Sequence, residues 1–246
     1  MLVSLVAPLF PTPSGLWGVA VGVIAFACVS AEVLTASALT PRLSAKGLWV
    51  AVGAVGALAL LATFAASLPI ALAAALVTLS LLALGTSAGG VVGHAIDRPG
   101  HLLVVAIVSA AVDALSVLHP RGPTAQIIES DAAVGVLILP WPILGTRNID
   151  PVLGVGDVAF AAIYLSAARR HGLSIRRTLI ALSLALAGTL VAVFVTGRGI
   201  PALPFFGAAM VAAHPEARRL PEEDRAKALV GLLALGALVG ALLYFS

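Results

Sequence analysis

The chain repeatedly runs for twenty residues or more without a charge, and this pattern constrains its fold more than any single motif. Residues 48–67, 69–93 and 178–197 contain no Asp, Glu, Lys or Arg, and 15–40 contains only Glu32. A helix crossing a hydrocarbon layer roughly 30 Å thick needs about 20 such residues. With 61% hydrophobic and 10% charged residues, the chain exceeds the roughly 45 to 50% apolar share of soluble domains, which would have to expose the surplus to water. The expected fold is an all-α polytopic membrane protein.

Apolar runs set against helix breakers place spans at 15–40, 48–67, 69–93, 101–118, 152–168, 178–197, 201–214 and 227–245, about eight in all with a range of about seven to nine. The second and third are divided only by Ser67-Leu68-Pro69, yet together they are too long for one crossing, so a tight hairpin is expected there. Residues 131–146 are apolar but short and hold Pro140 and Pro142, with Val134, Val136 and Ile138 at alternate positions. That pattern predicts an extended segment, strand-like over 133–139, lying against a cavity because lipid offers no backbone partners. The organisation expected is N-terminal helices over 1–100, a core over 101–214, and a charged linker with a last helix over 215–246.

The net charge of +3 does not mark a nucleic-acid binder, because the basic residues sit in short loops between apolar runs, where topology signals lie. Cys28 is the only cysteine, which excludes an intrachain disulfide and a cysteine metal cluster. Residues 1–14 lack Lys and Arg and contain Pro8, Pro11 and Pro13, a poor match to a cleaved signal peptide, so the first span is expected to be retained.

Of the eleven acidic residues, only Glu32, Asp113 and Asp157 fall within the apolar runs. A carboxylate at the bilayer centre costs roughly 2.5 to 3.5 kcal/mol on insertion scales and is normally paired, protonated or turned to a water-filled cavity. Glu32 alone reads either as an incidental polar group of a bundle or as part of a transport path. Asp157 closes Gly154-Val155-Gly156-Asp157, where two glycines let another backbone or a substrate approach the carboxylate. Asp113 lies near the end of the preceding span. Two close carboxyls cannot both ionise cheaply, so they would share a proton. One then activates water while the other polarises a scissile carbonyl, with no need of a metal, cofactor or nucleophilic side chain.

Three segments resemble the presenilin family of intramembrane aspartyl proteases. Asp113 to Pro123, with its Pro-basic-Gly-Pro turn, resembles the first catalytic segment; Gly154 to Asp157 resembles the GxGD motif; Ile200-Pro201-Ala202-Leu203-Pro204 resembles the PAL motif. They occur in the family's order and cover 101–214. The resemblance implies that Asp113 and Asp157 are the catalytic pair and that Pro201, Ala202 and Leu203 shape the site and help hold substrate. Its implied partners are transmembrane helical substrates and lipid.

The chain departs from the family at Val112, where Tyr is usual, which bears on substrate positioning. It also has fewer spans before Asp113 and an apolar span after the PAL region. No long loop of the autoproteolysed kind is evident, so a single-chain enzyme without obligatory partner subunits is expected. On an eight-span count, Arg42, Lys46, Arg98, Arg169, Arg170, Arg176, Arg177, Arg218, Arg219, Arg225 and Lys227 share one side, against Arg121, Arg147 and Arg198. The positive-inside rule then gives the orientation of signal peptide peptidase, opposite to presenilin. The composition suits a prokaryotic inner membrane. Rival readings are a prepilin peptidase, which shares GxGD but not PAL, a proton- or ion-coupled transporter, and a degenerate protease that binds membrane helices.

Overall fold

The computed structural model describes residues 14–39, 46–65, 68–119, 122–146 and 148–245. Its elements are α1 (Gly15–Leu39), α2 (Lys46–Ala65), α3 (Ile70–Ala95), α4 (His101–Leu118), α5 (Pro123–Ile128), α6 (Asp131–Leu137), β1 (Ile138–Pro142), β2 (Ile149–Gly154), α7 (Val155–Arg170), α8 (Ile175–Thr196), α9 (Leu203–Ala213), a 3-10 turn (Pro215–Arg218) and α10 (Glu222–Phe245). The retained-leader reading of residues 1–13, and Arg42, Ser67, Pro120, Arg121 and Arg147, lie outside the described residues.

The fold is mostly helical and fits an all-α membrane protein. Among the described residues, α1, α3, α4 and α8 are long and apolar enough to cross a membrane, four helices against the eight apolar runs. For two of the other four runs the cause is local. Residues 149–154 are taken by β2, so the helix expected at 152–168 starts only at Val155. Pro201 delays α9 to Leu203 and leaves it eleven residues.

The chain divides into two compact units, Met1–Gly93 with Ser130–Ile163 and His94–Glu129 with Tyr164–Ser246. In the first unit α1 buries Val21, Ala25, Val29, Val33 and Ser37, one stripe at four-residue spacing, while Leu16, Val19, Val23 and Ile24 remain exposed. A helix apolar on every face has lipid as its natural solvent. Burial against other helices is then favoured by close packing of small residues more than by escape from water.

That packing is visible at the glycines. A Cβ at Gly53 would lie 3.3 Å from Ser87 Cβ, and one at Gly56 would lie 3.0 Å from Ala83 Cβ. The contacts run in opposite directions along α2 and α3, so these two form the antiparallel hairpin expected at Ser67 to Pro69. On α3, a Cβ at Gly85 would meet Val158, and one at Gly89 would meet the Ala159 carbonyl, so α3 and the start of α7 touch backbone to backbone.

The extended segment is shorter and later than the alternation of valines predicts. Residues 131–137 are helical, started by Ser130, whose hydroxyl accepts the Ala133 N–H at 3.4 Å. The strand begins at Ile138, where Pro140 and Pro142 prevent the helix from continuing. β1 pairs antiparallel with β2, placing Leu139 opposite Leu153, both buried, and Pro140 opposite Pro151. Prolines are tolerated because each strand of a two-stranded sheet has an edge that needs no donor. The Thr78 hydroxyl donates to the Pro140 carbonyl at 3.3 Å and ties β1 to α3.

In the second unit α9 packs between α4 and α8. A Cβ at Gly207 would lie 2.9 Å from Ala106 Cβ, and one at Gly188 would lie 3.2 Å from the Phe205 ring. Phe206, Met210, Leu102 and Leu182 fill this core. Gly197 ends α8 at φ 64°, donating its N–H to the Val193 carbonyl, a left-handed cap that a side chain would strain.

Candidate active site

Asp113 sits on α4, five residues before its end, and is half buried. Its Oδ2 accepts the backbone N–H of Leu203 at 2.9 Å. The Ala202 amide also acts on the same carboxyl. Pro201, Ala202 and Leu203 are all buried. The sequence segments singled out at 113 and at 201–203 therefore meet within one unit.

The reason lies in the start of α9. The first amides of a helix have no intrahelical acceptor and need one from outside. Ala202, at the cap position, has no side-chain oxygen to offer. Pro204 has no N–H, and the Phe205 and Phe206 amides both reach the Ala202 carbonyl, at 3.0 and 3.1 Å. The Leu203 N–H is left, and Asp113 takes it from the neighbouring helix. A carboxylate there also sits at the positive end of the α9 dipole. The contact orients one oxygen of Asp113 and leaves Oδ1 outside this hydrogen bond.

The turn after α4 is held locally. Ser116 Oγ lies 2.7 Å from Thr124 Oγ1 and accepts the Thr124 N–H at 3.1 Å. A Cβ on Gly122 would collide with the Ser116 carbonyl, which accounts for glycine in the Pro-basic-Gly-Pro turn. Val112, beside Asp113, is half exposed.

Gly154, Gly156 and Asp157 belong to the other unit, where β2 passes directly into α7. Asp157 occupies the first turn of α7, again where a helix dipole favours negative charge. A Cβ on Gly154 would lie 3.5 Å from Asp157 Oδ2, whereas one on Gly156 would meet nothing within 4 Å. Gly154 thus lies against the carboxyl and Gly156 faces open space.

Two features escaped the motif reading. Leu203 enters through its backbone amide, which no side-chain pattern announces. A cavity of about 650 Å³ lies in the first unit, and Glu32, Thr78 and Pro140 to Pro142 are on its walls. Glu32 was singled out for its place in a span, but Trp141 carried no motif. Among the described residues no three His, Cys, Asp or Glu are grouped to hold a metal ion. No protein-family model, no curated protein and no solved structure matches the chain.

Proposed function

We propose that the protein is an intramembrane aspartyl protease of the presenilin type, with about eight membrane segments, which hydrolyses peptide bonds inside transmembrane helices. The observation that carries the reading is the Leu203 to Asp113 hydrogen bond, which joins the first and third of the family-like segments. In the mechanism, Asp113 and Asp157 form a dyad that shares one proton. One carboxylate takes a proton from water as it attacks the scissile carbonyl, while the other, protonated, polarises that carbonyl. The roles reverse as the leaving amine is protonated.

A helical substrate hides its peptide bonds in its own hydrogen bonds, so it must first unwind. The β1–β2 hairpin ends at Gly154, three residues before Asp157, and offers a backbone edge on which an extended peptide can pair. The open space at Gly156 would receive that peptide near the carboxyl. On this reading the natural partners are transmembrane helical protein substrates and lipid, the chain needs no partner subunit, and its location is a prokaryotic inner membrane. The basic loop residues favour the signal peptide peptidase orientation and type II substrates, and a cytoplasmic readout from a tag at 119–124 would overturn that orientation.

The test is cleavage of single-span peptides in detergent or liposomes by wild type, Asp113→Ala and Asp157→Ala, with products read by mass spectrometry. Cuts within a span that vanish in both variants are expected. No cleavage, or full activity in either variant, would sink the proposal. Glu32 favours one second reading, a proton- or ion-coupled transporter, in which Asp113→Asn would change flux and no peptide would be cut.

A further inference from the structure

The cavity in the first unit has an acidic and an aromatic residue on its walls. Glu32 brings a carboxylate, and its Oε2 is shielded from solvent with no hydrogen-bond partner among the described residues. Trp141 brings an indole to the same walls. The rest of the described lining is small or aliphatic, with Ala74, Ala75 and Leu82 among it, and supplies no basic side chain. A carboxylate in such surroundings is costly unless it is protonated or paired, and a cationic guest supplies the pairing. An aromatic face attracts ammonium and guanidinium groups through its quadrupole. At about 650 Å³ the cavity falls inside the ~300 to 1,000 Å³ range of ligand pockets.

We propose that this cavity receives the lysine or arginine side chain of a bound membrane peptide, with Glu32 as its counter-charge and Trp141 as its aromatic wall. One wall is the β1 strand, Pro140 to Pro142, held to α3 by Thr78 and paired with the β2 strand that runs into Asp157, and the occupant is an extended peptide that follows this hairpin. A peptide aligned with the hairpin therefore brings its side chains past Glu32. The identification of that peptide as a substrate rests on the protease reading; the cation chemistry does not.

The experiment measures binding of fluorescent single-span peptides to the full chain in uncharged maltoside detergent. The peptides are identical except that Lys, Gln or Glu is scanned through the positions flanking the span. For wild type, Lys at one or two positions should bind about ten-fold more tightly than Gln, a difference of about 1.4 kcal/mol. Glu32→Gln, which keeps size and shape, should bring the two within about two-fold, and Glu32→Lys should reverse the preference toward Glu peptides. Equal binding of Lys and Gln peptides to wild type, or a Lys preference that survives Glu32→Gln, would overturn the proposal. So would Glu32-dependent retention of phosphatidylethanolamine in native mass spectra with no charge preference among peptides, since the occupant would then be a lipid headgroup. If Lys peptides bind as expected and none is cleaved, the protease reading fails and the cation site stands. If peptides are cleaved but binding ignores Glu32, the reverse holds.

Discussion

Leu203 donates its backbone N–H to Asp113 Oδ2 at 2.9 Å across 90 residues of sequence, so a side chain of one helix caps the start of another. The geometry separates two roles of Asp113 that a single substitution would confuse. Asp113→Asn keeps an oxygen acceptor for Leu203 but cannot exchange a proton as a carboxyl does. It should fold with nearly wild-type thermal stability and lose peptide cleavage by about 10² to 10⁴-fold. Asp113→Ala should lose activity to the same degree and also leave the Leu203 amide unpaired, at about 1 to 3 kcal/mol. Thermal unfolding in detergent, run beside the cleavage assay, distinguishes the two.

The glycines at 89 and 156 should behave oppositely. A side chain at Gly89 would run into the Ala159 carbonyl, which is backbone and cannot turn away. Gly89→Val should therefore destabilise by at least about 2 kcal/mol or prevent accumulation of folded protein. Gly156→Ala meets nothing within 4 Å and replaces glycine in the first turn of a helix, so stability should hold or rise by up to about 1 kcal/mol. If substrate passes at Gly156, cleavage nevertheless falls. Unchanged activity in that variant would remove this position from the substrate path.

A buried pair fixes the far end of α9. Thr178 Oγ1 lies 3.1 Å from the Ser174 carbonyl, to which it donates, and 2.9 Å from His214 Nε2, whose proton it accepts when that nitrogen carries one. Both residues are buried. Thr178→Val should cost about 1 to 3 kcal/mol by stranding the imidazole N–H, and Thr178→Ser should recover most of it. Chemical denaturation of the three proteins in one detergent is the check.

Acid should weaken the clasp between the start of α4 and the start of α10. His101 lies 3.0 Å from Asp224, and Arg98 pairs with both Asp224 and Glu223. The His101 hydrogen bond, followed by the positive charges around it, holds the Asp224 carboxyl below the usual carboxylate range. A depressed carboxyl contributes stability that is fully present above its unfolded value of about 3.9 and is lost as pH falls through its lower folded value. The melting temperature difference between wild type and Asp224→Asn should therefore close toward zero as pH falls below about 3.9 and through the lower folded value. A difference that persists undiminished in strong acid, where Asp224 is protonated in both the folded and unfolded chain, would contradict the pairing.

The sequence alone determined the solvent of the fold and its helical class, because uncharged runs such as 69–93 and 178–197 have one stable home. It also located the hairpin break before Pro69, since proline is excluded from a helix interior. Asp113 and the Pro201 to Leu203 segment were legible as separate motifs. Their hydrogen bond was not, because it depends on which amide at the start of α9 lacks an acceptor, and that follows only once α4 and α9 are packed. The strand boundary at Ile138 differs from the expectation, since the alternation of Val134, Val136 and Ile138 also fits a short helix and Ser130 tips the balance by capping it. The cavity at Glu32 was out of reach for the same reason: α1, α3 and β1 are far apart in sequence, and only their packing brings the carboxylate and the Trp141 indole to one set of walls.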